Sequence, residues 1–388
     1  MAVPLSYNFR NLLVRKTTTL MTSLGVALTV AVLLGIGTLV EGLRTSLSSG
    51  GNPLHLIVMR QGSTAELVSI TTREQYDVLK VNDQVAQLEG QPMISHEVLS
   101  VVNLPLRDDP ESVSNISVRG LSEIGIKMRE GAELVEGRWF RPGMREMVVG
   151  AGTHGVRAGT SVGDRIYFGR DDWEVVGVFS AGRSPFNSEI WVDSDLAGTD
   201  LGRGSSRSSI LIRAFDAGAA SALQNVVAED QRLGLEAERE DEYYAKQMQS
   251  AEPVRMLGVF VAIIMAVGSC FAAMNTMFAA VANRAREIGV LRLLGFSRFS
   301  ILSSFMLESL MLSLMGGILG CLLVLPLNGI EGRMGNWVTF AETTFSFTLT
   351  PAYVGIGLAF AAAMGVAGGF IPARMAANKE VLHSLGDR

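Results

Sequence analysis

Charge is nearly absent from four stretches of this chain and frequent almost everywhere else. Leu20 to Val40 falls in an uncharged interval between Lys16 and Glu41. Met256 to Ala282 is a second run, Ile301 to Leu327 a third broken only by Glu308, and Leu349 to Pro372 a fourth. A helix needs about 20 apolar residues to cross the hydrocarbon core of a bilayer. Each run reaches that length, so each predicts a spanning helix. The segment from Glu41 to Arg255 is patterned differently and, at about 215 residues, is long enough for one large domain or two small ones.

That long segment mixes two periods. Leu54–Met59, Val98–Val102, Glu146–Val149, Arg165–Phe168, Trp173–Phe179 and Ser209–Arg213 are rich in β-branched and aromatic residues and read as strands. Ala217 to Leu233 reads as a helix with Asp216 as its N-cap. The result is a mixed α/β domain whose β-rich middle, about residues 105–205, is a candidate inserted subdomain. Glu240 to Glu252 is polar but helix-prone and leads toward the second spanning run, with Pro253 as a candidate kink. Leu5, Phe9, Leu12 and Leu13 share one helical face, predicting an interfacial helix before the first span. The expected order is an interfacial helix (1–18), a first span (19–40), the α/β domain (41–255) and a second span (256–282). A short connecting segment (283–300), a third span (301–327), an outer loop (328–348), a fourth span (349–372) and a tail (373–388) follow.

Composition agrees with a membrane protein. Hydrophobic residues make up 48% and charged residues only 18%, where a soluble chain carries about 25% charge. The first run is longer than a signal-peptide core and ends in Leu39-Val40-Glu41 without a small-residue cleavage site, so a retained anchor is expected. Orientation follows from the cations. Arg10, Arg15 and Lys16 precede the first span; Arg284, Arg286, Arg292 and Arg298 lie between the second and third; Arg374, Lys379 and Arg388 follow the fourth. These place both termini in the cytoplasm and the acidic α/β domain outside. The net charge of −5 conceals this split.

Candidate chemistry is sparse. Cys270 and Cys321 both fall within spanning runs and read as packing residues. His55, His96, His154 and His383 show no ligand spacing. The acidic cluster Glu236 to Glu242 reads as a solvated face, and Trp139, Phe140 and Phe186 as core or, if exposed, as contacts for a partner. Glu308 is ionisable at membrane depth, which calls for snorkelling or for a partner such as Arg298. Gly316, Gly317 and Gly320 suit close helix contacts. No catalytic constellation and no metal or cofactor site is expected on this chain, and nucleic acid is not an expected partner.

The most informative segment is Asn283 to Arg298, where Ile288, Leu291, Leu294 and Phe296 can share one face while Arg284, Arg286 and Arg292 project elsewhere. Gly295 suits the end of a short helix. The stretch Arg284-Ala-Arg-Glu-Ile-Gly-Val-Leu-Arg-Leu-Leu-Gly295 resembles the cytoplasmic signature of the MacB/FtsX-type ABC-transporter permeases. Met306-Leu-Glu-Ser309 with Gly316-Gly-Ile-Leu-Gly320, and Ile371-Pro-Ala-Arg-Met-Ala-Ala377, are similar to later blocks of that family. Gly137-Arg-Trp-Phe140, Val148-Val-Gly150 and Gly163-Asp-Arg-Ile166 resemble its periplasmic core domain.

The resemblance implies a permease subunit of the bacterial inner membrane, working as a homodimer or with a related permease. It also implies two copies of an ABC ATPase subunit, which would bind ATP and Mg. No Walker-type Gly-x-x-x-x-Gly-Lys-Ser/Thr occurs in the sequence, so ATP hydrolysis is expected in a separate polypeptide. Arg284, Arg286, Glu287, Ile288, Gly289, Leu291, Arg292, Leu294 and Gly295 would form the ATPase-coupling element. The outer domain would drive efflux or extraction of a substrate, often with a periplasmic adaptor and an outer-membrane duct. Lipoprotein release and regulation of a cell-wall hydrolase are the alternatives within the resemblance.

Overall fold

The computed structural model describes residues 16–48, 50–182, 184–247, 252–335 and 342–378. Most of the expected interfacial helix and tail, and the junction at residues 248–251, lie outside these residues. The chain divides into two compact units: Met1–Glu41 with Glu252–Ile330 and Phe347–Arg388, and Gly42–Ala251 with Glu331–Ser346.

The first unit is helical. The spanning helices run over Lys16–Ser48, Glu252–Asn283, Arg298–Val324 and Pro351–Asn378. All four are long and apolar enough to cross a membrane. The fourth does not stop at Pro372, as the sequence suggested, but continues to Asn378. Pro372 loses one helical hydrogen bond, yet it and Ala373, Ala376 and Ala377 are buried, and neighbouring helices make such a position tolerable.

Small residues set the helix spacing. A Cβ on Gly316 would fall 2.7 Å from the Ser23 carbonyl oxygen, and one on Gly320 would fall 2.7 Å from that of Ala27. These two glycines, one turn apart, therefore admit the backbone of the first helix. Gly317 faces the fourth helix, with Ala361 Cβ 2.7 Å from where its own Cβ would be. Hydroxyls supply further links: Ser309 Oγ donates to the Gly365 carbonyl (2.7 Å), and Thr29 and Ser269 hydroxyls bond at 2.7 Å. In lipid, close packing and such bonds replace the hydrophobic drive of water. Cys270 and Cys321 are both free thiols and half-buried.

The second unit is built on strands. They are β1 (His55–Arg60), a small pair β2 (Gln87–Leu88) and β3 (Gln91–Pro92), β4 (Ile94–Pro105), β5 (Val113–Leu121), β6 (Glu133–Gly137) and β7 (Glu146–Gly150). Then come β8 (Arg165–Phe168), β9 (Asp171–Ser180), β10 (Ile190–Asp193), β11 (Ser209–Arg213), β12 (Leu235–Arg239), β13 (Glu331–Gly335) and β14 (Glu342–Ser346). Ten of them form one sheet in the order β12-β1-β11-β4-β5-β10-β7-β9-β6, with β8 also on β9.

Strand β4 is the hinge of this order. Its residues Ile94 to Glu97 pair with β11, and Val98 to Pro105 pair with β5. Strand β4 is thus shared between the strands of the segment 105–205 and the rest of the sheet. Alternation along the strands sorts the cores. Val118, Ile190 and Val192 face one cluster with Trp173, while Leu121, Trp191 and Leu211 face another with Phe179 and Phe186. Leu56, Val58, Ile210 and Ile212 pack against the helix Ala217–Glu229, whose N-cap Asp216 accepts the Ala219 N–H at 2.7 Å. Phe140 and Phe186 are core residues, as read from sequence; Trp139 is half-buried.

At the partner switch of β4 sits a buried ionic cluster. Arg119 on β5 donates to Glu189 (2.9 and 3.0 Å), Glu66 (3.0 and 3.2 Å) and Glu97 (3.1 Å). Arg129 donates to both Glu97 oxygens at 2.8 and 2.6 Å. Trp191 Nε1 and Ser209 Oγ satisfy further lone pairs on Glu189 and Glu66. All five charged groups are buried. Burial opposes ionisation of Glu97, but Arg129 and Arg119 outweigh it and hold its carboxyl below the usual carboxylate range.

Two expectations are corrected here. The span 328–348 is not a plain loop: β13 and β14 form a hairpin within the α/β unit. Ser188 Oγ accepts the Thr344 N–H at 2.9 Å and bonds its hydroxyl at 2.7 Å. The acidic cluster is not all solvated either. Glu236 to Glu238 lie in β12 against β1, and Glu240 is buried with its carboxylate 2.8 Å from His55 Nδ1.

Replacing Arg119 by Met leaves Glu66 and Glu189 buried without a cation, while Glu97 keeps Arg129, and should cost about 3–5 kcal/mol, far above the ±0.5 of an ordinary surface change. Thermal unfolding of the solubilised protein, followed by tryptophan fluorescence, measures it. A second prediction concerns His96, whose Nε2 lies 3.0 Å from Thr71 Oγ1 and whose ring stacks on Tyr76. Burial, then Arg207 and Arg73, lower its pKa from 6.5 to about 4. The unfolded chain thus takes up this proton first, so the contribution of neutral His96 is intact above pH 6.5 and is lost as pH falls toward 4. His96→Gln should flatten the unfolding temperature across that window; an unchanged slope would assign the dependence elsewhere.

Candidate coupling site

The segment joining the second and third spanning helices is a helix over Ala285–Leu293. Ala, Arg, Glu and Leu in this stretch are strong helix formers. Gly295, at φ +92°, ends it. Its N–H donates to the Arg292 carbonyl (3.2 Å) and the Phe296 N–H to that of Leu291 (3.1 Å). This is the Schellman pattern, which a left-handed glycine permits. Ser297 then caps the third spanning helix, its Oγ accepting the Ser300 N–H at 3.2 Å. The two helices are thus joined by a turn of defined geometry.

The short helix is anchored at its start. Arg284 Nη1 donates to Glu308 Oε2 at 2.9 Å, with both side chains buried. Arg298, the partner suggested by proximity in sequence, is exposed. Ten residues along one helix put it about 15 Å from Glu308, whereas the chain reversal brings Arg284 alongside. A buried charge requires such pairing.

Ile288 is buried too, packed with Met277, Val281, Ile301, Phe305, Ala373 and Ala376. The face Ile288–Leu291 thus turns toward the bundle; Leu291 and Arg292 are half-buried. Gly289 is buried, and Leu294, Gly295, Arg286 and Glu287 are exposed. The apolar residues presented outward are Val290 (48% exposed), Leu293 (61%) and Leu294 (67%). Val290 and Leu293 were missed from sequence because this helix is apolar on two faces, so spacing alone does not say which one packs. The Arg284–Glu308 pair is the feature that decides it.

Chemically, this surface can bind by apolar burial with Arg286 nearby. Among the described residues, no three His, Cys, Asp or Glu side chains form a metal-like cluster. Glu308→Gln should leave Arg284 charged and unpaired and destabilise the helical unit by roughly 3–5 kcal/mol. The double change Arg284→Met with Glu308→Leu should recover most of that loss, as read by thermal unfolding in nanodiscs.

Residues 259–381 match the FtsX-like permease C-terminal family, and residues 19–229, more than half of the chain, match the MacB-like periplasmic core domain. The "Macrolide export ATP-binding/permease protein MacB" of Pasteurella multocida is 26% identical over 394 residues, covering 95% of this chain and 58% of that protein. The "Pyoverdine export ATP-binding/permease protein PvdT" of Pseudomonas putida is 39% identical over 132 residues, covering 34% of this chain and 18% of that protein. A crystal structure of the periplasmic region of MacB from Actinobacillus actinomycetemcomitans aligns at 12% identity and a TM-score of 0.39, covering 51% of this chain and 94% of that one. The chain spans about half the length of the curated relatives it matches across its whole extent. With its four apolar helices and a periplasmic-type α/β domain between the first two, it belongs to the MacB/FtsX-like family of ABC-transporter permeases.

Proposed function

We propose that this multi-pass protein is the permease subunit of an inner-membrane efflux or extraction complex driven by a separate ABC ATPase. The helix Ala285–Leu293 would seat on that ATPase, and nucleotide-driven closure would move the spanning helices and, through them, the periplasmic-type domain. The observation that carries the reading is the outward apolar set Val290, Leu293 and Leu294 on a helix whose other face is anchored by Ile288 and Arg284. Burying one such side chain contributes about 1.5–3 kcal/mol, so three give a docking surface of useful strength. Anchoring matters because a lever that is loose at its base transmits no displacement.

The orientation that supports this reading puts Arg284, Arg286, Arg292 and Arg298 on the cytoplasmic side, where ATP is available. Two copies of the ATPase would serve a homodimer, or a pair with a related permease; ATP and Mg would sit on the ATPase. The relatives named for macrolide and pyoverdine export favour efflux over lipoprotein release or hydrolase regulation. A periplasmic adaptor and an outer-membrane duct would then complete the path.

Affinity purification of the protein from its native membranes should bring down an ATP-hydrolysing subunit. Leu293→Asp with Leu294→Asp should cut the co-purified ATPase activity at least tenfold, a loss of about 1.4 kcal/mol or more in binding. The thermal stability of the permease should be unchanged, because neither side chain is packed. Full retention of the ATPase by the double variant would refute the docking surface.

A further inference from the structure

The second spanning helix, Glu252–Asn283, turns one face away from the rest of the helical unit. Gly268, Ala272, Asn275, Ala279 and Ala282 are all exposed on it. Their spacing of 4, 3, 4 and 3 residues keeps them in one seam, about 21 Å long. Other sides of the helix are packed. Ala273 meets Gly368 of the fourth helix, and Ser269 and Thr276 bond Thr29 and Thr22 of the first.

Asn275 is out of place on such a surface. It lies eight residues, about 12 Å, from the helix end at Asn283, within the apolar span. Its side chain is too short to reach water from that depth; only long side chains do so. Other polar side chains in the spans are satisfied: Thr22, Ser23, Thr29, Ser269, Ser309 and Ser313 each make a hydrogen bond. Asn275 makes none among the described residues. An amide facing hydrocarbon is costly, and polar residues in spanning helices turn toward a partner. Gly268 is a second sign. No atom lies within 4 Å of where its Cβ would stand, and glycine inside a helix is destabilising relative to alanine. Its own bundle makes no use of that space; the backbone of another helix would.

The seam also restricts the partner. It carries no charge, so nothing on it selects an ionic group. A carboxamide holds an acceptor oxygen and two N–H donors, so two of them satisfy each other when they face across a two-fold axis. A lone Asn in a heptad seam fixes register as well. We propose that a second copy of the chain docks on this face. The two second helices lie side by side, the Asn275 side chains bond each other, and Gly268 and Ala272 set the close approach. The inference rests on the reading of a permease pair and needs no ATPase.

The test uses the full-length protein in lipid vesicles, in a background carrying Cys270→Ala and Cys321→Ala. Oxidation should join Ala272→Cys chains to one another, and likewise Ala279→Cys chains. The fourth helix also exposes small residues, Gly355, Ala359 and Ala363, but without an amide. Ala359→Cys should therefore crosslink at least tenfold less. Energy transfer between labelled chains, followed as lipid is added, measures association. Asn275→Leu and Gly268→Leu should each weaken it at least fivefold, Asn275→Gln should retain most of it, and thermal unfolding should stay that of the unsubstituted protein. Energy transfer without crosslinks at Ala272→Cys and Ala279→Cys would keep the pair and refute this face; no energy transfer at all would refute the pair itself. Equal crosslinking at Ala359→Cys, undiminished association of Asn275→Leu, or crosslinking of Ala272→Cys in native membranes only to a different polypeptide would each overturn the proposal.

Discussion

The α/β unit depends on one arginine. Arg119 reaches three carboxylates that arrive from separate parts of the chain: the turn at Glu66, the strand β4 and the approach to β10. Each carboxylate alone would be intolerable at such burial. Together with Arg129 they are held in one geometry, at the point where β4 changes partner. The hydrophobic clusters on the two faces of the sheet supply most of the stabilisation. The ionic cluster specifies register, since a slip of one residue would turn Arg119 to the opposite face. Trp191 is paired with Arg119 across β5 and β10 and would be displaced with it.

In the helical unit the same principle operates at smaller scale. Arg284 and Glu308 are both costly where they lie and are tolerable only as a pair. Their bond fixes which side of the helix Ala285–Leu293 meets the bundle. Gly316 and Gly320 play the complementary part for the first helix, by absence of bulk rather than by charge. Charge pairing and close backbone approach together define the bundle without help from water.

The fold class was legible because its signal is coarse. An uncharged apolar run of about 20 residues or more matches the thickness of a bilayer and little else in a folded chain. Strands such as Trp173–Phe179 announce themselves by β-branched content. Strand β5 did not, because Ser114, Asn115, Arg119 and Gly120 interrupt its pattern. Of these, Arg119 is there for the ionic cluster and Gly120 for the close approach of Ala197 and Ser194. Strand β12 was hidden by its glutamates, and Glu240 by its acidic neighbours. At the coupling helix, composition located the element, but apolar residues on two of its faces left its orientation open. In each case the missing information was long-range: a partner distant in sequence decides whether a polar residue is exposed or buried.

The hairpin β13–β14 bears on how the protein is made. Synthesis proceeds from the N-terminus at about 5–20 residues per second. Residues 42–251 therefore emerge well before Glu331–Ser346, which belongs to the same compact unit. Between them lie two spanning helices. The Thr344–Ser188 bonds can form only after both have been threaded into the bilayer. Completion of the water-facing domain is thus timed by membrane insertion, and a chain stalled before the third helix carries that domain unfinished.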